Sequence, residues 1–326
     1  MLCKKCVLSE HHPDIKLNKD GICNICIEYE TEKAAIRAGR LLESDLVKLL
    51  DKYRGKGIYD CLVMCSGGKD SIGSLYYMKK RYRMNPLVFT FDHGFENEEA
   101  LNNIRNAVSI LKTDWLYFKT DFMKDIFAIM IKNNVPAPLC HVCAIWYTQL
   151  TYETAARYGI PLIVAGWTRG QMGIGGEEAK EYLSMSKATA DFVNTYLHKD
   201  PKYRHFPLNI NEAINTTQKK LKITMISPHW FLSKEIEQLV EILSRELSWK
   251  APALSYPKGS TNCLMNFASV MLTLKHFGYT HYHIEMSKLV REGALSREEA
   301  LEKLKIDFNP EFVDNIVKLV GCELPK

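Results

Sequence analysis

The amino-acid sequence predicts an α/β protein built on a doubly wound parallel sheet. Short apolar runs typical of buried parallel strands recur along the first half of the chain, and helical segments separate them. A glycine-rich loop follows the first of these runs and leads directly into a helix. Because such sheets bind ligands at the carboxyl ends of their strands, we expect the functional site in the loops that follow them. The predicted strands span residues 59–65, 87–91, 115–118 and 161–165.

The helices predicted between and after these strands cover residues 71–81, 98–111, 122–132 and 143–158. Ahead of the first strand, apolar residues at helical spacing predict one linking helix over 31–53. Residues 176–250 are predicted to be mostly helical. From position 283 the tail is predicted to form two helices, and the second begins with the capping-box spacing of Ser296 and Glu299.

These segments divide the chain into five predicted regions. A small cysteine-rich module that should bind zinc comes first, and the linking helix follows it. Next come the α/β core, a helical insertion that completes the core, and a helical tail. The predicted bounds of the five regions are 1–29, 30–57, 58–175, 176–282 and 283–326.

The composition of the 326 residues fits a folded, soluble protein. Apolar residues make up 46% and charged residues 25%, so the chain can bury a core. No apolar run is long enough to cross a bilayer, and no secretory signal opens the sequence. We therefore expect a cytoplasmic protein without a membrane partner. The net charge of +5, from 43 basic and 38 acidic residues, tolerates nucleic acid without demanding it.

The loop after the first predicted strand has the composition of a phosphate-binding site. Its glycines let backbone N–H groups approach an anion, and the start of the next helix adds the positive end of its dipole. A lysine and two serine hydroxyls supply further donors. The pattern differs from the G-x4-G-K-[ST] loop of mononucleotide kinases. The loop residues are Ser66, Gly67, Gly68, Lys69, Asp70 and Ser71.

This Ser-Gly-Gly-Lys-Asp-Ser loop resembles the pyrophosphate loop of the PP-loop ATP pyrophosphatases, the adenine nucleotide α-hydrolase-like (HUP-like) superfamily. The resemblance covers roughly residues 59–167. It implies that ATP with Mg²⁺ adenylates a carbonyl-type oxygen, which nitrogen or sulfur then replaces, and that Lys69 and Asp70 act in catalysis. After the fourth strand the family often carries a histidine and paired acidic residues, where this chain has Gly-Trp-Thr-Arg. By position the resemblance implies further ATP contacts at Asp92, His93, Gly94 and Gly166.

The cysteines of the amino-terminal module form two Cys-x2-Cys pairs, a spacing typical of a zinc knuckle. Soft thiolates on two tight turns suit tetrahedral Zn²⁺, and a bound ion would replace the missing core. A redox role would require a βαβ context around the pairs, which the sequence lacks. Four thiolates leave no open coordination position, so we expect a structural site. The four ligands are Cys3, Cys6, Cys23 and Cys26.

A third pair, Cys140 and Cys143, has no second pair after it, and Cys263 lies far along the chain. The spacing alone leaves two interpretations open. Either the three thiolates hold an iron–sulfur cluster with one open iron, or Cys143 caps a helix and Cys263 is an ordinary buried cysteine. The set resembles that of the PP-loop tRNA thiolation enzymes, which implies a [4Fe-4S] cluster whose open iron carries sulfide. A persulfide on Cys140 or Cys143 is intermediate between these two interpretations, the cluster and the ordinary cysteines.

A second resemblance, to the N-acetyl sugar amidotransferases of the same superfamily, spans nearly the whole chain. It rests on the amino-terminal cysteine motif, on residues 51–61 and on the tail segment 278–300. It implies that an acetamido group on a sugar becomes an acetamidino group, with ammonia supplied by a partner glutaminase. That chemistry does not require the cysteines at 140, 143 and 263.

The sequence therefore predicts an ATP-dependent transferase with two alternative reactions. Sulfur insertion, with a sulfur donor protein as partner, is favoured because the three distant cysteines are otherwise hard to explain. Amidation with a glutaminase partner is the alternative. A non-catalytic nucleotide-binding adaptor is disfavoured by the intact loop. The predicted acceptor is a small metabolite, a sugar nucleotide or a tRNA base, and a homodimer is compatible with the sequence.

Overall fold

The computed structural model describes residues 1–171, 180–218, 221–232, 236–259 and 262–325. Its strands are β1 (Cys61–Met64), β2 (Pro86–Asp92), β3 (Asp114–Lys119), β4 (Leu162–Val164) and β5 (Thr224–Ile226). Its α-helices are α1 (Asn24–Ala38), α2 (Glu43–Asp51), α3 (Lys69–Tyr76), α4 (Glu98–Leu111), α5 (Phe122–Lys132), α6 (Leu139–Arg157), α7 (Leu183–Phe192), α8 (Ile210–Gln218), α9 (Ile236–Leu247), α10 (Met265–Phe277), α11 (His281–Glu292), α12 (Arg297–Leu304) and α13 (Pro310–Lys318).

The five strands form one parallel sheet in the order β3-β2-β1-β4-β5. Val63 of β1 is paired with Val88 of β2 on one side and with Val164 of β4 on the other. This order reverses direction between β1 and β4, which is the point where a doubly wound sheet opens a crevice for ligands. The predicted fold class is confirmed.

Both faces of the sheet are covered, which explains why β1 and β4 are apolar at every position. Leu62 and Met64 of β1 point into a core shared with α5, α6 and α10. Cys61 and Val63 point to the other face, into a core shared with α2, α3, α4 and α9. Alternate side chains of one strand therefore reach two separate cores.

Three predictions about the helices need correction. The linking helix predicted over 31–53 is two helices, because α1 ends before Gly39 and the N–H of Leu42 donates to the Asp45 carboxylate at 3.0 Å to begin α2. The segment predicted to be mostly helical contains a strand, β5. The tail has a third helix, α13, whose start is capped by the Asn309 side chain. The predicted boundary at 175–176 lies outside the described residues.

The predicted capping box at the start of α12 is present. The Ser296 N–H donates to the Glu299 carboxylate at 2.8 Å, and the Glu299 N–H donates to the Ser296 hydroxyl at 3.1 Å. No helix in the described part of the chain combines the length and the apolar character needed to cross a membrane.

Candidate functional site

The glycine-rich loop connects β1 to the start of α3, at the crevice of the sheet. The Ser71 hydroxyl closes the loop, since it accepts the Ser66 N–H at 3.2 Å and donates to the Gly68 carbonyl at 3.1 Å. Outside the loop, the Asn262 side chain donates to the Ser66 carbonyl at 3.1 Å. The first N–H groups of a helix have no partner within it, so the start of α3 offers donors to an anion.

Two glycines permit the close packing of this loop. Gly67 has a φ of +83°, and a Cβ there would lie 2.2 Å from the carbonyl oxygen of Ala100. Gly166 follows β4, and its Cβ would lie 2.6 Å from the backbone nitrogen of Ser71. Gly166 therefore lets the carboxyl end of β4 contact the start of α3 directly.

The charged residues of the loop are held by contacts within the protein. The Lys69 ammonium lies 2.8 Å from the Asp70 carboxylate and donates to the Gly259 carbonyl at 3.1 Å. His229, which follows β5, is buried, and its Nε2 lies 2.8 Å from the Asp70 carbonyl and 3.2 Å from the Ser74 hydroxyl. The sequence did not point to His229, because β5 has only three residues and was not predicted.

Of the residues predicted at the end of β2, Asp92 and His93 are buried and Gly94 is exposed. The carboxylate of Asp92 accepts the Gly94 N–H at 2.6 Å and also the Tyr117 hydroxyl, so both of its oxygens are bonded within the protein. The Nδ1 of His93 accepts the Phe95 N–H at 3.2 Å, which leaves the ring proton on Nε2. Burial lowers the pKa of His93 to about 4, so this ring is neutral at neutral pH.

The Nε2 of His93 faces a thiol and a carboxyl. It lies 3.5 Å from the Sγ of Cys263 and 3.5 Å from Oε1 of Glu96. Burial, with the charge of Asp92 as a second cause, raises the pKa of Glu96 to about 8. Sequence analysis missed Glu96, which lies only three residues beyond the predicted His93.

The three distant cysteines come together near Glu96. Cys140 lies in the first turn of α6 and Cys143 at the start of its second turn. The helix begins four residues earlier than the sequence predicted. Cys263 pairs with Glu96 in an antiparallel bridge. Burial raises the pKa of Cys140 to about 11, and it also raises the pKa of Cys143 and of Cys263. The charge of Glu96 contributes to all three increases in pKa, so this carboxyl lies near each of the sulfurs.

The spacing of the three sulfurs distinguishes them from a single-ion site. Among the described residues, the groups of donors within 4.8 Å of one another are the amino-terminal cysteines and the set of His93, Glu96 and Cys263. The sulfurs of Cys140, Cys143 and Cys263 do not form such a group. A tetrahedral ion with Zn–S bonds of about 2.3 Å holds its sulfurs about 3.8 Å apart. At least two of these three sulfurs are therefore more than 4.8 Å apart, too far for one tetrahedral ion to hold all three.

One cavity of about 750 Å³ extends from the glycine-rich loop, residues 66–71, to Cys143 and Cys263. It lies at the crevice between β1 and β4, and its wall includes Lys69, Asp70 and Gly166. Further residues of the wall are His93, Glu96, Cys143, Cys263 and Glu285. The structure thus brings the predicted nucleotide site and two of the three predicted cysteines into one space, although their roles there stay predictions.

Glu285 of α11 is a cavity residue that sequence analysis missed. The Thr168 hydroxyl, in the loop after β4, donates to its Oε1 at 3.3 Å. Burial raises the pKa of Glu285 to about 7, and the charge of Lys69 acts against that increase. A carboxyl therefore reaches the loop after β4 from a helix more than 100 residues downstream, so no local motif could have revealed it.

The amino-terminal cysteines have the geometry of a tetrahedral metal site. All four are buried, the sulfurs of Cys3 and Cys26 are 4.0 Å apart, and those of Cys6 and Cys23 are 3.8 Å apart. Both distances agree with the separation of about 3.8 Å that four zinc-bound thiolates adopt. Contacts with Cys23, and then with Cys26, lower the pKa of Cys6 to about 6. The predicted ligands converge as a set that fits Zn²⁺.

The cysteine module packs on the tail of the chain. The Arg297 Nε donates to the carbonyls of Cys3 at 3.2 Å and Cys6 at 3.0 Å. The Val7 N–H donates to the Ser287 hydroxyl of α11 at 3.2 Å. The opposite face of α11 carries Glu285, so one helix connects the metal module to the cavity wall.

Comparisons with known proteins place few constraints on the chain. No protein-family model matches the sequence. An uncharacterized protein of Methanocaldococcus jannaschii is 24% identical over 308 residues, which are 94% of this chain and 93% of that protein. Its function is not known, so this relative supports no assignment.

Two solved structures align with low scores. The U34-tRNA thiolase NcsA of Methanococcus maripaludis, solved with its [4Fe-4S] cluster, aligns over 94% of this chain and 90% of its own, with 15% identity and a TM-score of 0.36. The NH3-dependent NAD synthetase of Campylobacter jejuni aligns over 54% of this chain and 92% of its own, with 14% identity and a TM-score of 0.32. TM-scores this low support no conclusion about function.

The metal site of the module makes a first prediction. Protein purified aerobically should contain about one Zn²⁺ in this module, and Cys23→Ser should lose it because a hydroxyl replaces a soft thiolate ligand. Loss of the ion should make residues 1–29 sensitive to protease, since the metal replaces a core. Metal analysis and limited proteolysis measure both effects. Cys322→Ser, at a buried cysteine outside the module, is the control. If Cys23→Ser keeps its zinc, the ligands are assigned wrongly.

The contact between Gly166 and α3 makes a second prediction. Gly166→Ala should lower the free energy of unfolding by about 1–3 kcal/mol, because its methyl group meets backbone atoms that cannot move aside cheaply. Gly57→Ala is the matched control, since its Cβ would lie 3.5 Å from the nearest atom, the Tyr59 carbonyl oxygen. Urea denaturation of the two variants measures the difference. Equal stabilities would show that the close approach is not required.

Proposed function

We propose that this chain is a PP-loop ATP pyrophosphatase that adenylates a carbonyl-type oxygen of its substrate and replaces that oxygen with sulfur. The observation that carries the proposal is the shared cavity, whose wall includes the Ser-Gly-Gly-Lys-Asp-Ser loop together with Cys143 and Cys263. An adenylated substrate at the loop would therefore meet a sulfur centre without leaving the site. The strand order, with the loop at its reversal point, supports nucleotide binding there.

The electrostatics of the loop suit the adenylation step. The β and γ phosphates of ATP would lie against the start of α3, where backbone N–H groups and Lys69 offset the charge that builds on pyrophosphate. The substrate oxygen would attack the α phosphorus, and the P–O bond to pyrophosphate would break. Asp70 and Glu285 supply the oxygen ligands that Mg²⁺ prefers, and the ion would neutralise phosphate charge.

The second step requires a nucleophile beside the adenylated carbon. AMP is a better leaving group than oxide, so an incoming sulfur can form its bond to carbon while the C–O bond to AMP breaks. Cys143 and Cys263 are soft donors in the cavity wall, and Cys140 lies close enough to both to affect their pKa, so three thiols are available to hold a [4Fe-4S] cluster. Such a cluster would supply the sulfide, and a sulfur donor protein would restore it.

Amidation of an N-acetyl sugar, with a glutaminase partner, is the second candidate function. One observation favours it, because the two ends of the chain that resemble amidotransferases pack together through Arg297 and Ser287. The reaction would use the same adenylation step, followed by attack of ammonia. Cys140, Cys143 and Cys263 would then have no part in the chemistry.

Nucleotide use gives the third prediction. With an acceptor present, ATP should yield AMP and pyrophosphate, and Lys69→Ala should reduce the rate by about 100-fold or more, because one charge-stabilising donor is lost. Separation of labelled nucleotides measures the products. The exposed Lys202→Ala should leave the rate unchanged. Release of ADP in place of AMP would exclude the PP-loop assignment.

The cysteine set gives the fourth prediction, which separates sulfur from nitrogen transfer. Protein reconstituted anaerobically with iron and sulfide should be brown, and Cys263→Ala should lose most of that iron. Its affinity for ATP should stay within about twofold of wild type, because the hydrogen bonds of Ser71 that close the glycine-rich loop do not involve Cys263. Iron and sulfide analysis and ATP titration measure these effects, with Cys322→Ala as control. A colourless protein that is indifferent to this substitution, and that aminates an acetamido sugar with free ammonia, would support amidation instead.

A further inference from the structure

Glu96 lies beside Cys263 and close enough to Cys140 and Cys143 for its charge to affect both thiols. It follows β2, and its backbone is opposite Cys263 in the antiparallel bridge. The bridge is fixed on both sides, because the Asn97 N–H donates to the Asn262 carbonyl and the Leu264 N–H donates to the Phe95 carbonyl, both at 2.8 Å. One carboxylate oxygen of Glu96, the Sγ of Cys263 and a ring nitrogen of His93 all lie within 4.8 Å of one another.

Within the described part of the chain, the side chain at ion-pair distance from the Glu96 carboxylate is His93, and no lysine or arginine lies that close. A buried carboxyl beside three thiols is a costly arrangement unless a cation binds between them. These groups therefore fit a metal centre better than an ordinary protein core.

The hydrogen bonds of His93 decide which residues can be ligands. Since Nδ1 accepts the Phe95 N–H, the ring proton lies on Nε2, and Nε2 can donate to the Cys263 sulfur but cannot bind a metal. The imidazole is thus a hydrogen-bond donor to a ligand sulfur, a contact that tunes metal–thiolate centres. Glu96 is left as the oxygen donor that faces the same centre and the cavity.

We infer that Glu96 is a fourth, exchangeable ligand, which occupies the open position of the centre held by Cys140, Cys143 and Cys263 until sulfide displaces it. This inference rests on the proposed function. A hard carboxylate binds iron less tightly than a soft sulfide does, so the exchange favours sulfur. The metal–oxygen bond breaks as the metal–sulfur bond forms, and the proton of hydrosulfide passes to the released carboxylate. One anion replaces another, so no oxidant or reductant is needed.

The test compares wild type, Glu96→Gln and Glu96→Asp after anaerobic reconstitution with iron and sulfide. All three should hold equal iron, because the cysteines carry the cluster. Sodium sulfide is then titrated into the reduced proteins, and binding is followed by electron paramagnetic resonance. We expect Glu96→Gln to bind sulfide at least fivefold more tightly than wild type. Before sulfide is added, its electron paramagnetic resonance spectrum should also differ from that of the wild type. Glu96→Asp, which keeps the carboxylate, should lie between them.

Glu98→Gln is the matched control, since Glu98 is an exposed carboxylate two residues away that pairs with Arg105. It should match wild type in both the spectrum and the sulfide titration. If Glu96→Gln also matches wild type, Glu96 is not a ligand, although the proposed function stands. If wild-type protein forms no iron centre at all, the proposed function fails and this inference fails with it.

Discussion

The pairing of Glu96 with Cys263 is the contact on which the candidate site depends. The backbone bonds around it fix residues 262 and 263 against the loop after β2. The side chain of Asn262 also donates to the Ser66 carbonyl, so the same two residues contact the phosphate loop. Without this contact, Cys263 would not be held beside Glu96 in the cavity wall, next to the glycine-rich loop.

A second constraint acts from the opposite side of the cavity. The amino-terminal module shares its small apolar core with Met185, Tyr279 and Ile284, and it is hydrogen-bonded to Arg297 at the start of α12. Because α11 also presents Glu285 to the cavity, the module supports the wall of the site. The two ends of the chain therefore complete a site whose loops come from the middle of the sequence.

Much of the sheet and several helices could be predicted from periodicity, because β1 and β4 are continuous apolar runs and helices such as α4 and α5 have a clear start. The bounds of α4 and α5 agree with the prediction residue for residue. β5 could not be found, since three residues contain too little pattern. The break before α2 was missed because apolar spacing continues through it. His229 and Glu285 were missed because tertiary packing alone brings them to the loop.

Burial also bears on the form that sulfur would take at the site. A persulfide mechanism needs a thiolate nucleophile, yet thiols in apolar surroundings stay protonated and react slowly. Cys143 and Cys263 lie in such surroundings, next to a carboxyl of the same charge as a thiolate. A bound metal reverses this balance, because its charge stabilises the thiolates and the carboxylate together. Under the proposed sulfur transfer, these surroundings favour a metal centre over a free persulfide as the source of sulfur.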